Sequence, residues 1–453
     1  MSTVADSPTS GLRPIAPATI EQTGLSFELV TELVLKTLYR QSEMSGSDVG
    51  RRMGLLFAVI GPSLEALKVQ RLCEIVGGAS LGGPSYRYRL TDAGQARARS
   101  AFERNHYTGF APVSAAAYRR YSDEFRRTGS RIVTADEVRA AFTHLVVSDR
   151  VRDEIGPAVN SGHSIFIYGP PGNGKTVMSR AIRSLLPGPI AIPYAIDVDG
   201  EIIRFFDPSV HEPVAADAGD DRSDQLHDNR WIECRRPMIA VGGELTLEAL
   251  SLQFSPRSGL YRAPVQTMAN GGVLLVDEFG RQRCPPRDLL NWWMVPLESG
   301  VETLTLQSGE RLDLPFFPLV FFATNLKLSE LVDEAFLRRI QYKIYAESPS
   351  PPEFVRIFEF ACEEKGIPFE PSIVDHLLEH VYRAHAIELR GCHPRDLVNQ
   401  ALSLASYRGE PRRLTTALLE EAAASYFLEE HEKNERRDKN EERRHSDRRQ
   451  IPR

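Results

Sequence analysis

The most regular pattern in the chain is a set of short, continuous apolar runs between residues 135 and 350. Three of these runs are SIFIYG (164–169), GGVLLVDEFGR (271–281) and PLVFFATN (318–325). Runs of this length without polar alternation are typical of strands that are buried on both faces of a parallel sheet. The second and third runs end in acidic or amide residues. We therefore predict an α/β domain whose parallel strands carry polar side chains at their carboxyl ends.

Helical periodicity dominates residues 25–105 instead. The segment SFELVTELVLKTLYR predicts a first helix, and Ser47 and Ser63 are candidate N-caps of two more. CEIV and YRYRL predict two strands around a glycine-rich turn, and Thr91 opens a last helix. Three helices with a two-stranded ribbon resemble a winged helix-turn-helix domain.

The remaining segments differ in composition from these two regions. We predict a flexible arm over 1–24, a linker over 106–134, a helical domain over 351–428 that starts at the breaker PSPP, and a charged, disordered tail over 429–453. The tail mixes both signs of charge and has almost no apolar residues, so it cannot form a core.

The overall composition is that of a soluble globular protein. The 453 residues are 42% hydrophobic and 26% charged, and the net charge of -6 gives no whole-chain argument for nucleic-acid binding. The five cysteines are dispersed, which is typical of reduced thiols. No secretory segment is visible, and no apolar run approaches the roughly 18 residues of a membrane span. We expect a cytoplasmic protein without membrane insertion.

The first apolar run leads directly into GPPGNGKT, which matches the phosphate-binding pattern G-x-x-x-x-G-K-[ST]. Its residues are Gly169, Pro170, Pro171, Gly172, Asn173, Gly174, Lys175 and Thr176. The glycines allow backbone N–H groups to surround phosphates, and the helix that follows directs its positive end at the same anion. We expect Lys175 to reach the β- and γ-phosphates and Thr176 to bind Mg²⁺.

The other two apolar runs end in residues suited to phosphate chemistry. Burying Asp277 and Glu278 at a strand end is costly unless a cation uses them. Asp277 fits the Mg²⁺ ligand of P-loop enzymes, and Glu278 fits a base or an orienting group for the attacking water. Asn325, at the end of the third run, is placed to bond the γ-phosphate or that water, although an isolated Asn there is usually a turn residue.

Two arginine-bearing motifs follow, DEAFLRRI (333–340) and HPRDL (393–397). The ordered set GPPGNGKT, VLLVDEFGR, FFATN, FLRRI and HPRDL resembles the Walker A, Walker B, sensor 1, arginine-finger and sensor 2 motifs of AAA+ ATPases. The resemblance covers residues 135–428. It implies ATP and Mg²⁺ as cofactors, a five-strand parallel sheet between helices, a small helical lid, and assembly with itself into a ring, often a hexamer.

The resemblance also assigns roles to single residues. Asn325 becomes sensor 1, and Arg395 becomes sensor 2, which reaches the γ-phosphate from the lid. Arg339, with Arg338 as the second candidate, becomes the finger that neutralises charge on the ATP of a neighbouring subunit. The alternative for these two arginines is a local pairing with the acidic residues of the same motif.

Two segments are longer than the core sheet requires. They resemble the inserts of the AAA+ branch that includes MoxR-type chaperones and bacterial enhancer-binding activators, whose inserted loops push on a client. The GAFTGA sequence of the activators is absent. In the first segment, glycine and proline breaks predict a loop that interrupts helical structure and exposes Phe254, Leu260 and Tyr261. Phe254 and Tyr261 are candidate client contacts, with simple packing as the alternative.

The second segment, NWWMVPLESGVETLTLQSGERLDLPFF, predicts a helix followed by two strands around Ser308 and Gly309. The acidic stretch 197–230 contains His211 and His227, but their spacing follows no metal-ligand pattern. We therefore expect that stretch to be a solvated loop.

These observations give two functional hypotheses. The first is an ATP-hydrolysing, ring-forming remodeller or chaperone-like motor that acts on a protein client. The second is an ATP-regulated DNA-binding regulator that uses residues 25–105, with candidate DNA contacts at Lys68, Arg71, Arg87 and Arg89. Residues 25–105 have only a small excess of basic residues, which is short of a strong nucleic-acid footprint.

Overall fold

A computed structural model describes residues 12–77, 83–128, 132–214, 227–327, 331, 338 and 340–427. Three sequence predictions lie outside these ranges: the first eleven residues of the arm, the charged tail, and Arg339 with the acidic residues of its motif. Within the described ranges, no helix combines the length and the apolar character needed to cross a bilayer.

The N-terminal unit combines helices with a three-stranded antiparallel sheet. Its elements are α1 Ile20–Thr23, α2 Phe27–Gln41, β1 Glu43–Ser45, α3 Gly46–Met53, α4 Phe57–Val69, β2 Cys73–Gly77, β3 Arg87–Leu90 and α5 Asp92–Arg104. The strand order is β1-β3-β2, so β1 adds a third strand to the two that the sequence predicts. Helix α2 is central because α3, α4 and α5 all pack against it.

Two of the predicted helix starts in this unit are wrong. Ser45, and not Ser47, caps α3 through a side chain that accepts the Asp48 N–H. Helix α4 begins before the Gly-Pro pair, so Ser63 lies inside it, fully buried. There the Thr31 hydroxyl donates to the Ser63 oxygen at 2.9 Å, so the hydroxyl holds α2 to α4 instead of capping a helix.

The main body contains two sheets, a β-ribbon of β6 with β9, a β-hairpin of β14 with β15, and a C-terminal set of helices that we call the lid. Its elements between residues 113 and 234 are β4 Val113–Ser114, α6 Ala115–Thr128, α7 Ala135–Ala141, α8 Asp149–Ser161, β5 Ile165–Tyr168, α9 Lys175–Leu185, β6 Ile190–Pro193, β7 Ala195–Val198, β8 Glu201–Arg204 and β9 Trp231–Cys234. Next come β10 Met238–Val241, β11 Gln253–Ser255, β12 Leu260–Arg262, α10 Val265–Met268, β13 Val273–Val276, α11 Pro286–Ser299, β14 Val301–Thr305, β15 Arg311–Pro315, β16 Leu319–Thr324 and β17 Tyr342–Tyr345. The lid helices are α12 Pro351–Lys365, α13 Pro371–Leu377, α14 His393–Arg408 and α15 Thr416–Tyr426.

The core sheet has five strands in the order β10-β13-β16-β5-β17, and every neighbouring pair is parallel. This confirms the predicted α/β fold with its five-strand parallel sheet. The three apolar runs form β5, β13 and β16, which are adjacent in the centre of the sheet. Their carboxyl ends therefore meet at one edge, where the polar residues that follow them are brought together.

A second sheet was missed by the sequence analysis. Its order is β11-β12-β8-β7-β4, with both parallel and antiparallel pairs. The prediction of helical structure interrupted by a loop before β13 is therefore wrong, because this segment forms β9 to β12 and one short 3₁₀ turn. The strands are only two to four residues long, too short to establish a period in the sequence.

The second sheet joins the N-terminal unit to the core. One set of its side chains belongs to the hydrophobic core of the N-terminal unit: Ala195, Ile202 and Leu260. The neighbouring set belongs to the largest core cluster, which includes the parallel sheet: Ile196, Ile203 and Tyr261. Because successive residues of a strand point to opposite faces, each face of this sheet is buried against a different part of the chain.

The segment predicted as a linker is instead part of the core. It contains β4 and α6, and Tyr118, Tyr121 and Phe125 of α6 are buried in the largest core cluster. These three aromatic residues follow helical spacing along α6, so a sequence signal for a helix was present. Part of the predicted arm also contacts the body, since Arg13 pairs with Glu233 at 2.6 Å.

Candidate nucleotide-binding site

The loop between β5 and α9 curls through backbone conformations that favour glycine. Gly169, Gly172 and Gly174 have φ angles of 141°, 81° and 74°. A Cβ on Gly169 would also lie 2.5 Å from the carbonyl oxygen of Ala346. Helix α9 begins at Lys175, directly after this loop, so its free N–H groups face the concave side. The loop has the form of an anion cradle.

Lys175 is folded against its own loop. Its Nζ donates to the carbonyl oxygens of Gly169 at 3.0 Å and Pro170 at 2.7 Å, and the residue is only 8% exposed. Burial lowers the pKa of this ammonium group to about 8, although the carboxylate of Asp277 acts in the opposite direction. The cation is thus held at the mouth of the cradle, where a phosphate would offset its loss of hydration.

Thr176 and Asp277 meet at the edge of the sheet. The Thr176 hydroxyl donates to Asp277 Oδ2 at 2.7 Å, and Asp277 Oδ1 accepts the Glu278 N–H at 2.8 Å. Asp277 is fixed in this position because its own N–H bonds Val241 of the adjacent strand β10. A hydroxyl and a carboxylate are the hard oxygen ligands that Mg²⁺ prefers, so this pair fits a magnesium ion shared with phosphates.

Glu278 follows Asp277 in an unusual backbone conformation. Its φ is +48°, which is uncommon for a residue with a Cβ, and its side chain is exposed. The next residue, Phe279, is anchored by an N–H bond to Ala323 of β16 at 2.7 Å and by complete burial. The backbone turn therefore directs Glu278 away from the core, and such outliers cluster at functional sites.

Asn325 lies immediately after β16, beside the turn that carries Glu278. Among the described residues its Oδ1 is buried without a hydrogen-bond partner. A buried acceptor left in this way costs free energy unless a ligand or water donates to it. Asn325 therefore has a free acceptor at the edge of the sheet that carries Asp277 and Glu278.

The arginines assigned by resemblance are placed to different degrees. Arg395 lies in the first turn of α14, is exposed, and its Nε is 3.4 Å from Asp396 Oδ1. Arg338 is described and exposed, whereas Arg339 lies outside the described residues. The choice between Arg338 and Arg339 as the finger stays a prediction.

The lid contributes residues that the sequence analysis did not single out. Arg390 precedes α14, and its Nε is buried without a partner among the described residues. His393 is also buried, and burial beside Arg390 lowers the pKa of its imidazole to about 4, so it is neutral at pH 7. A small cavity next to Asn173 has apolar walls from Val147 and Ile357. Sequence spacing gave no signal for this cavity, because its walls come from positions far apart in the chain.

Phe254, Leu260 and Tyr261 were expected to be exposed, and this expectation is wrong for two of them. Leu260 and Tyr261 are 7% and 3% exposed, and only Phe254 is half-buried. The rings of Phe254 and Tyr261 pack together with centroids 4.9 Å apart. The Tyr261 hydroxyl accepts the N–H of Gln307, at the tip of the β14–β15 hairpin, at 3.0 Å. The two insert segments are thus fastened to each other.

The candidate DNA contacts are largely neutralised within their own surface. Three of them form ion pairs at 2.5 to 2.7 Å: Lys68 with Glu65, Arg87 with Glu43, and Arg89 with Glu74. These acids lie next to their partners and would repel a phosphate backbone. Three of the four candidate cations are therefore each balanced by a neighbouring carboxylate.

The expectation of a solvated loop over the acidic stretch is wrong for much of its described part, since Ile202 and Ile203 of β8 and the nearby Phe205 are buried there. His211 is fully buried, with its ring nitrogens at hydrogen-bond distance from the Asp207 N–H and the Met268 carbonyl oxygen. Asp228 forms a buried ion pair with Arg230 at 2.7 Å. Within the described ranges no group of three or more potential metal ligands is present.

Comparison with protein families gives two partial matches. The model of magnesium chelatase, subunit ChlI, matches residues 142–194, which contain β5, the glycine-rich loop and α9. A domain of unknown function, DUF8689, matches residues 350–425, which contain the lid helices. The comparison with curated proteins gives no match. The first family match and the five-strand sheet support an AAA+ type of P-loop nucleotide-binding core.

Solved structures with a partly similar fold include two bacterial proteins. NtrX from Brucella abortus in complex with ATP is 18% identical, with 76% of this chain and 72% of that chain covered and a TM-score of 0.38. Another structure of NtrX from Brucella abortus is 16% identical, with a TM-score of 0.38. The match covers 61% of this chain but only 55% of the length of that NtrX chain. RuvB from Thermotoga maritima, a Holliday junction branch migration motor, has 13% identity, a TM-score of 0.36 and coverage of 61% and 68%.

Proposed function

We propose that this protein binds ATP with Mg²⁺ and hydrolyses it to ADP and phosphate. The observation that carries the proposal is the 2.7 Å contact between the Thr176 hydroxyl and Asp277 Oδ2. It joins the phosphate-binding loop after β5 to the end of β13, a buried strand that β16 separates from β5 in the same sheet, with Glu278 as the next residue. A loop that only bound an anion would need neither carboxylate.

Each residue has a definite role in this proposal. The loop N–H groups and Lys175 bind the phosphates, and Thr176 with Asp277 would hold the magnesium ion. When bound, Mg²⁺ neutralises phosphate charge as the leaving oxygen departs. The Glu278 carboxylate accepts a proton from the attacking water, and Asn325 Oδ1 accepts the other hydrogen of that water, which orients it.

The substitution Glu278→Gln tests this assignment. It retains shape and hydrogen bonding but removes the base, so we expect Mg-ATP to bind as in the wild type and hydrolysis to slow by about 10²-fold or more. Fluorescent-nucleotide titration and phosphate release measure the two quantities. Glu124→Gln, an exposed position on α6, is the matched control. Equal hydrolysis by wild type and Glu278→Gln would overturn the assignment of the base.

We further propose that the protein works as a ring, with a hexamer as the expected size. Arg339, or Arg338, completes the ATP site of the neighbouring subunit, and Arg395 contacts the γ-phosphate from the lid. The ring acts as a remodeller or chaperone-like motor on a protein client. The five cysteines are free thiols, which supports the proposed cytoplasmic location.

The N-terminal unit, which we interpret as a winged helix-like domain, contacts a protein partner in this proposal. Its paired basic residues and its burial against the second sheet favour this role over DNA binding. The alternative is an ATP-regulated DNA-binding regulator. If that alternative is right, duplex DNA changes the rate of ATP hydrolysis. Substituting Lys68, Arg71, Arg87 and Arg89 should then abolish the effect of DNA.

A further inference from the structure

Asn173, at the tip of the phosphate-binding loop, connects three separate segments of the chain. Its Nδ2 lies 3.3 Å from the carbonyl oxygen of Ala346 and 3.4 Å from Ser348 Oγ, just beyond the last strand of the core sheet. Its Oδ1 accepts the N–H of Gly391, in the lid, at 3.2 Å. One amide therefore joins the loop to the core–lid connection and to the lid itself.

Close packing surrounds these bonds. A Cβ on Gly172 would lie 2.4 Å from Cys392 Sγ, and a Cβ on Gly391 would lie 3.2 Å from the carbonyl oxygen of Gly172. The lid and the loop thus meet with almost no free space between them. Movement of the lid away from the core must separate the Asn173–Gly391 bond, because the two residues lie on opposite sides of this contact.

The cavity beside Asn173 is small. It measures about 50 Å³ and is bordered by Asn173, Gly391 and the apolar side chains of Val147 and Ile357. Sites for small ligands have volumes of roughly 300 Å³ or more. A group as large as a nucleobase therefore enters only if the lid or the core–lid connection moves outward.

We propose that Asn173 is a positioning residue that holds the lid closed on the phosphate-binding loop. We call its bonds to Ala346, Ser348 and Gly391 the lid latch. Opening of the lid latch admits the base of the nucleotide, so the latch sets the rate of entry. This inference rests on the proposed binding of ATP, but its structural part is measurable without any nucleotide.

Hydrogen exchange in the nucleotide-free protein tests the structural part. Asn173→Ala removes the acceptor for the Gly391 N–H, so peptides that contain Gly391 should exchange about fivefold faster, as expected for one lost hydrogen bond. Peptides from β13 and β16 should not change. The matched control is Asn399→Ala, an exposed position on α14 of the same lid. Unchanged exchange at Gly391 in Asn173→Ala would overturn the lid latch.

Association kinetics test the functional part. A fluorescent ATP analogue mixed rapidly with Asn173→Ala should bind about fivefold faster than with wild type or Asn399→Ala, because the bond from the loop to Gly391 of the lid no longer opposes lid opening. Equal association rates would refute the gating role. If wild type binds no nucleotide while its Gly391 amide is protected through Asn173, the proposed ATPase function fails and the structural part of the lid latch stands.

A second variant separates the two sides of the lid latch. Asn173→Asp keeps an acceptor for Gly391 but removes the donor to Ala346 and Ser348. In the nucleotide-free protein we expect protection at Gly391 to be retained and exchange near Ser348 to increase. Loss of protection at Gly391 in a variant that melts with wild-type cooperativity would contradict the assignment of the acceptor.

Discussion

At the scale of the residue, Lys175 shows how burial sets the chemistry of the site. An ammonium group with three hydrogens finds two carbonyl oxygens in the loop and little water, so its charged form is disfavoured. A phosphate would restore that charge. The protonation of Lys175 is therefore linked to nucleotide binding.

We predict that ATP affinity falls as the pH rises above about 8. Burial gives Lys175 a pKa of about 8 in the free protein, and bound phosphate raises it again. Above pH 8, binding must take up a proton, which costs up to about tenfold in affinity per pH unit. Titration of a fluorescent ATP analogue from pH 7 to 9.5 at saturating Mg²⁺ measures the slope. Lys175→Met should bind weakly and lack this slope, and a flat wild-type profile would contradict the prediction.

The site residues differ in how far the sequence could predict them. Lys175 and Thr176 belong to a compact motif whose spacing is itself the signal. Asp277 was singled out because an acid at the end of a buried strand is costly, and the structure places it against Thr176. The lid contact of Asn173 had no local signal. It depends on how Gly391 docks, more than 200 residues later in the chain.

At the scale of the element, the burial pattern of a strand decided what could be predicted, since the recognised β5 and β13 are no longer than the missed β7 and β8. The strands of the core sheet that are apolar throughout were recognisable, since burial on both faces leaves a continuous run. The second sheet is built from strands with mixed burial, and it went unrecognised. Because the second sheet was missed, Tyr261 was expected on an exposed loop, whereas it lies buried in strand β12.

We predict a structural role for Tyr261. Tyr261→Phe removes the bond to the Gln307 N–H and should cost about 1 kcal/mol of unfolding free energy. Tyr261→Ala also removes buried ring contacts and should cost about 3–5 kcal/mol. Denaturant unfolding measures both.

Tyr407→Ala, at a position that is 91% exposed, is the control and should change the unfolding free energy by less than about 0.5 kcal/mol. A Tyr261→Ala variant as stable as the wild type would instead restore the client-contact hypothesis.

At the scale of the whole molecule, the N-terminal unit and the candidate nucleotide-binding site are parts of one continuous structure. Ala195, Ile202 and Leu260 of the second sheet complete the core of the N-terminal unit. The segment that the sequence analysis treated as a linker contributes a strand to that sheet and a helix to the main core. The N-terminal unit is thus positioned to follow movements of the main body. A domain joined to the body only by a flexible linker would not share buried core residues with the second sheet in this way.

In the proposed ring each ATP site is shared between two subunits, and mixing two inactive variants tests this sharing. Lys175→Ala removes the site of its own subunit, and the double substitution Arg338→Ala/Arg339→Ala removes the finger given to a neighbour. Each variant alone should be inactive. In a mixed ring, about one interface in four combines an intact loop with an intact finger.

We therefore predict that an equimolar mixture of the two variants recovers ATP hydrolysis that neither shows alone, measured as phosphate released per subunit. Wild type diluted in parallel should lose specific activity as rings dissociate. A mixture that stays as inactive as its components, beside a wild type whose activity per subunit is independent of concentration, would contradict the shared site.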